Sequence, residues 1–294
     1  MTRRGVLLFA AMCVIWGIPY LMIRVAVREL APVTLVFLRT GIGAALLLPL
    51  AAVRGELRPL LDRWRPLLVY SVIEVGIPWV LLARAETKLS SSLTGLLVAA
   101  VPLVGAVVVT LTGSRERQGT RRWVGLLVGL AGVTALVGFD IGQAGALSVT
   151  EVFIVAVCYA LGPIILARHM VGVPAMGIVA VSLGLTALIY LPFAIQRRPS
   201  SVPTAHVLES VLGLGVICTA IAFLVFFALI REVGPVRATV ITYVNPAVAA
   251  VLGVAVLHET VTPGMLVGFA LILAGSFLAT GQGPARVPEP VAES

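Results

Sequence analysis

Glu74 is the residue of this chain best placed to do chemistry. It stands in Ile73-Glu74-Val75-Gly76-Ile77-Pro78-Trp79, inside an apolar run. Roughly eight residues separate it from the start of that run, so it lies about 12 Å deep at a rise of 1.5 Å per residue. A charged group at such depth costs about 3 kcal/mol on insertion. A partner, a water-filled cavity or protonation has to offset that cost. Desolvation favours the neutral acid, which makes Glu74 a candidate for solute binding or for carrying a proton. Two plainer readings stand beside this one: a structural ion pair with Arg39, or an interfacial position. Arg39 lies about 9 Å from the nearer end of its own apolar run. It can hold a solute carboxylate, or it can snorkel to the headgroups.

Other polar and aromatic residues fall in apolar runs. Trp16 and Tyr20 are four apart and share a helix face; Trp79, Tyr243 and Asn245 follow in later runs. They line an amphipathic pocket or serve as packing, and Asn245 in hydrocarbon needs hydrogen-bond partners. Pro19, Pro102, Pro163 and Pro246 also fall within spans, where proline frees a backbone carbonyl and kinks the helix. Glu116 and Glu259 sit at helix–loop boundaries, as gate or loop-ordering residues or as solvated charges. Cys13, Cys158 and Cys218 show no metal or disulfide spacing, and His169, His206 and His258 lie far apart. No metal site, cofactor motif or catalytic grouping is expected.

The elements that position these residues are membrane helices. The 294-residue chain is 60% hydrophobic and 12% charged, with a mean hydropathy of +1.09. A soluble protein of this size carries about a quarter charged residues. Continuous apolar runs, rather than alternation, exclude a β-barrel. Helices are expected near 5–26, 33–53, 66–85, 92–112, 122–139, 149–168, 174–195, 207–230, 236–257 and 263–280. The net charge of +8 reflects topology rather than nucleic-acid binding. With a cytoplasmic N-terminus, fourteen Arg fall in inner segments, against Arg28, Arg84, Lys88, Arg197 and Arg198 outside. That bias puts both termini in the cytoplasm. The tail from Gly281 is Pro-rich and polar and is expected to be disordered.

The second half repeats the first. A shift of 144 pairs Pro19 with Pro163, Arg24 with Arg168 and Pro102 with Pro246. A shift of 143 pairs Pro49 with Pro192, Glu116 with Glu259, Gly125 with Gly268 and Ala131-Gly132 with Ala274-Gly275. Five helices per copy is an odd number, so the copies enter the membrane in opposite senses. The expectation is an all-α membrane protein of ten transmembrane helices in two inverted five-helix repeats, 5–139 and 149–280, with a 281–294 tail. Small-residue faces at Gly125-x3-Gly129 and Gly264-x3-Gly268 serve contacts within the chain or in a homodimer.

Thr219-Ala220, Gly234-Pro235, Tyr243-x-Asn245-Pro246, His258-Glu259 and Gly268…Ala274-Gly275 form an ordered set in the second half. Trp16-Gly17, Arg39, Pro102, Glu116 and Gly125…Gly132 echo it in the first. The chain thereby resembles EamA-type members of the drug/metabolite transporter superfamily over roughly residues 5–280. Glu74 departs from the pattern, since many members are apolar there. The resemblance implies ten helices in two repeats and transport of small metabolites, often outward. The expected function is therefore secondary transport of a small organic solute in the bacterial inner membrane, with the lipid bilayer as surroundings and protons as a candidate coupling ion. A membrane-embedded enzyme acting on lipid or isoprenoid groups, or a non-transporting scaffold, is the alternative.

Overall fold

The computed structural model describes residues 1–111, 120–140 and 145–280. Among them the secondary structure is entirely helical. Among the described residues nine helices are long and apolar enough to cross a membrane: α1 (Arg3–Ala26), α2 (Pro32–Val53), α3 (Trp64–Ala85), α4 (Ser91–Val108), α5 (Thr120–Gly138), α6 (Gly145–His169), α7 (Ala175–Gln196), α8 (Ala205–Val233) and α10 (Pro263–Thr280). α9 (Ile241–Leu257) is apolar but shorter. It was expected to begin near 236. Instead a one-turn helix, Pro235–Ala238, precedes it. A tight turn follows, in which Thr242 and Tyr243 donate to the carbonyls three residues back rather than four. The expected tail and Glu116 lie outside the described residues.

Helix pairing crosses the midpoint of the chain. The most extensive contacts are α5 with α10 and α2 with α7, and α4 packs on α9. Exchanging the first five helices with the last five maps α1–α8 onto α3–α6, α1–α9 onto α4–α6, and α2–α8 onto α3–α7; every one of these pairs is in contact. Glycines permit the closest approaches. A β-carbon at Gly125 or Gly132 would strike the backbone of α10, and one at Gly275 would strike Gly129. The small-residue faces are thus occupied inside the chain. Outward-facing Leu7, Val53, Leu127, Leu188 and Phe277 leave large apolar side chains exposed, as a lipid-facing surface requires.

The helices are irregular near their middles. α1 breaks at Trp16-Gly17, ahead of Pro19, and α4 breaks at Ala99-Ala100, ahead of Pro102. Their counterparts Pro163 and Pro246 lie within uninterrupted helices. Two π-helical segments, Ser71–Gly76 in α3 and Gly213–Ile221 in α8, are related by the repeat. Shifted by 143, the first falls on 214–219. Such wide turns occur often at functional sites, because they re-aim side chains and loosen the backbone ladder.

Candidate functional site

The site grows from the π segment of α8. Thr219 Oγ1 donates to Leu214 O, five residues back, at 2.8 Å. The same oxygen accepts from Arg39 Nε at 3.1 Å. The Arg39 guanidinium lies over the Trp79 ring, 3.7 Å from its centroid. Stacking of this kind steadies a cation where water is scarce. Arg39 is 8% exposed, so it does not snorkel to an outer surface. Its Nη1 and Nη2 have no hydrogen bond or ion pair among the described residues, leaving a donor fork for an anionic group.

The other repeat has the neutral version of this arrangement. Ser182 stands where the 143-residue shift places Arg39, and it pairs with Ser71 Oγ at 2.9 Å. Ser71 begins the π segment of α3 and also donates to Leu67 O at 2.7 Å. Each second helix of a repeat therefore grips the π segment of the opposite repeat. One grip is charged and the other is not.

Glu74 projects from the π segment of α3 toward α6. A β-carbon on Gly162 would overlap its Oε2, so the absence of a side chain there makes the space it occupies. That buried oxygen has no hydrogen-bond partner among the described residues. The alternative of an ion pair with Arg39 is not met among the described residues: Arg39 is engaged by Thr219 and Trp79 instead. Tyr70 and Tyr159 are within electrostatic range of Glu74, and Tyr159 packs with Trp79. Pro163 cannot donate to the Tyr159 carbonyl four residues before it, so that carbonyl lacks its helical partner. Tyr20, from α1, packs its ring on Gly95 of α4. Tyr20, Glu74 and Tyr159 keep some accessible surface although protein surrounds them.

The remaining sequence candidates are dispersed. Trp16, at the α1 break, packs against Phe226 at 4.8 Å and Phe223 at 5.9 Å between ring centroids. With its amide nitrogen turned toward α1, Asn245 donates to Cys13 O at 3.2 Å and to Ile241 O at 3.0 Å. Gly17 N bonds Val14 O instead of Cys13 O, so the α1 break itself supplies this acceptor. Asn245 is thereby committed to holding α9 on α1. Tyr243 reaches the end of α10, where its hydroxyl meets Thr280 Oγ1 at 3.3 Å, apart from the Arg39 cluster.

Glu259 caps the start of α4. It accepts from Ser91 N at 2.8 Å and Ser92 N at 2.9 Å, and from both serine hydroxyls. Burial pushes its carboxyl up, but the Ser92 and Ser91 hydrogen bonds outweigh burial and hold it below the usual carboxylate range. A β-carbon at Gly253 would overlap Glu259 and Ser92. Comparable clamps recur: Glu56 accepts from Gly177 N at 3.1 Å at the start of α7, and Glu29 accepts from Thr204 N at 2.8 Å at the start of α8. Each joins the two halves of the chain and places a carboxylate at a helix N-terminus.

Sequence reasoning missed Glu86, Tyr159 and Gly162. Glu86 follows the end of α3 and reads as a loop charge beside Lys88, yet it is fully buried. A faint signal was Arg24, a cation inside the first span, which donates to the Glu86 carbonyl. Tyr159 and Gly162 had no polar signature beyond the nearby Pro163.

The EamA-like transporter family matches this chain twice, at residues 3–138 and 146–281. The uncharacterized inner membrane transporter YedA of Escherichia coli (strain K12) is 29% identical over 86% of this chain and 82% of its own length. The uncharacterized transporter YvbV of Bacillus subtilis (strain 168) is 26% identical over 96% of this chain and 93% of its own. One solved crystal structure superposes with a TM-score of 0.67 at 23% identity, covering 94% of this chain and 96% of that one. That last likeness is one of fold.

Proposed function

The chain belongs to the EamA-like transporter family, and from that premise we propose that it is a secondary exporter of a small organic solute bearing an anionic group. The observation that carries this reading is Arg39: a buried cation on Trp79, with its terminal nitrogens unpartnered, in the interior of an apolar bundle. A solute anion docks on the guanidinium fork, and its apolar body meets Trp79, Tyr20 and Tyr159. Ten helices span the membrane as two inverted repeats, 5–139 and 149–280, with both termini cytoplasmic, as the arginine bias favours. Exchange of helix contacts between the two halves supports rocking of one repeat against the other. The π segments and the breaks at Pro19 and Pro102 lie where such motion has to be absorbed.

Glu74 supplies the coupling. As a neutral acid it rests against Gly162 at low cost; ionised, it requires hydration. A proton crossing 100 mV releases about 2.3 kcal/mol, enough for roughly a 50-fold solute gradient. The test is flux from liposomes containing the full chain, using a panel of amphipathic organic anions. Solute-dependent flux that disappears in Arg39→Gln supports the reading. No flux across the panel from folded protein, or flux indifferent to Arg39→Gln, overturns it.

A further inference from the structure

Glu86 is a second buried acid that the transport cycle above does not use. It is 0% exposed, and neither carboxylate oxygen has a hydrogen-bond partner among the described residues. Twelve residues separate it from Glu74, about 18 Å along α3, so the two do not share a site. The charged and titratable groups facing it come from every neighbouring element: Arg24 and Tyr20 on α1, Arg39 on α2, and Glu259 between α9 and α10. On its own element, Arg84 is taken by Glu151 at 2.9 Å. Arg24 is already held at the Glu86 main-chain carbonyl. A desolvated carboxylate with no hydrogen bond is unfavourable, so the resting form is the neutral acid. Arg39 rests on Trp79, seven residues before Glu86 and so on the same face of α3, about 10 Å away along the helix. Neither cation is bonded to the Glu86 carboxyl among the described residues.

We propose that Glu86 is a proton-binding site whose ionised form competes with an anionic solute for Arg39. This rests on the assignment of Arg39 as the solute anchor. The neutral acid leaves the Arg39 fork open. Loss of the proton to water leaves a carboxylate, for which Arg24 and Arg39 are the cations within range; capture of Arg39 then displaces the solute anion. Proton binding at Glu86 and anion binding at Arg39 are thus positively linked. Linkage makes the effect reciprocal: a bound anion raises the proton affinity of Glu86. Carboxyl groups at Glu86 and Glu259 have opposite surroundings. Four serine donors keep Glu259 satisfied, while Glu86 has none.

The test is infrared spectroscopy of the full-length protein in liposomes, followed from mildly acidic to mildly alkaline pH. Two protonated-carboxyl bands are expected, one removed by Glu86→Gln and the other by Glu74→Gln. Benzoate, as an aromatic carboxylate probe, moves the midpoint of the Glu86 band to higher pH, and Arg39→Gln abolishes that movement. If Glu86→Gln fails to fold, Arg24→Gln carries the test, because removing a cation raises the midpoint of the same band at least several-fold in proton affinity. A band unaffected by Glu86→Gln overturns the proton site. A Glu86 band indifferent to benzoate and to Arg39→Gln overturns the competition. Loss of solute flux alone would leave both bands in place, and so would strike the transport reading rather than this one.

Discussion

Glu259 Oε2 accepts from both the main-chain N–H and the hydroxyl of Ser92, at 2.9 and 2.6 Å. The two residues lie 167 positions apart in sequence. A carboxylate from the second half thereby closes the first turn of a helix in the first half. This clamp couples two energies that are usually separate: the capping of a helix and the docking of two repeats. It also determines how that contact responds to acid.

Glu259→Gln is expected to destabilise the protein by about 2 kcal/mol at neutral pH, since an amide replaces a charged acceptor of several hydrogen bonds. The folded protein holds this carboxyl below its unfolded value. Its stabilisation is therefore complete above the ordinary carboxylate range and declines as pH falls through the folded value. Thermal unfolding of both proteins in detergent, at neutral and acid pH, reads the difference. Parallel acid sensitivity of the two would refute the clamp.

Gly162→Ala is expected to expel the Glu74 carboxyl from its place against α6, because no β-carbon fits beside Oε2. Coupled flux should fall at least tenfold, with a smaller loss of stability. The double variant Gly162→Ala/Glu74→Ala should recover folding stability without recovering coupling. Retained pH-dependent flux in Gly162→Ala would remove Glu74 from the mechanism.

Arg39→Lys keeps the charge but loses the planar fork and the stack on Trp79. Solute affinity is expected to drop about tenfold to a hundredfold, with the protein still folded. Binding measured by tryptophan fluorescence checks this, since Trp79 reports directly on its neighbour. An unchanged affinity would mean that Arg39 acts only as a packing cation.

Asn245→Leu is expected to cost stability rather than affinity, about 1–2 kcal/mol, because it strands the Cys13 carbonyl at the α1 break. Solute binding by the surviving folded fraction should be near that of the parent. A selective loss of affinity would return Asn245 to the solute site.

Sequence reasoning located the helices well because each needs its own long apolar run, and nine such helices stand among the described residues. It located the halves through paired prolines and glycines, which the two matches at residues 3–138 and 146–281 now parallel. It singled out Glu74 and Arg39 by the cost of burying charge. It kept their pairing open as an alternative, because depth along a helix says nothing about which way a side chain turns. Thr219 and Trp79 were nearer to Arg39 than any acid was. Glu86 escaped notice for the converse reason: a charge at a helix end reads as solvated unless the fold closes over it.

The sequence by itself determined that this chain is a membrane helical bundle, that it is built twice, and which few charges have to be explained. Those are consequences of hydrophobicity and repetition, and both are properties of linear order. Only the tertiary structure decided that Glu74 rests against Gly162, that Asn245 serves α1, and that Glu86 is buried with both carboxyl oxygens unpartnered among the described residues. Those relationships depend on helix rotation and on the extra width of two π turns. Rotation is set by close packing across the repeats, where one β-carbon more or less decides which side chain faces the interior.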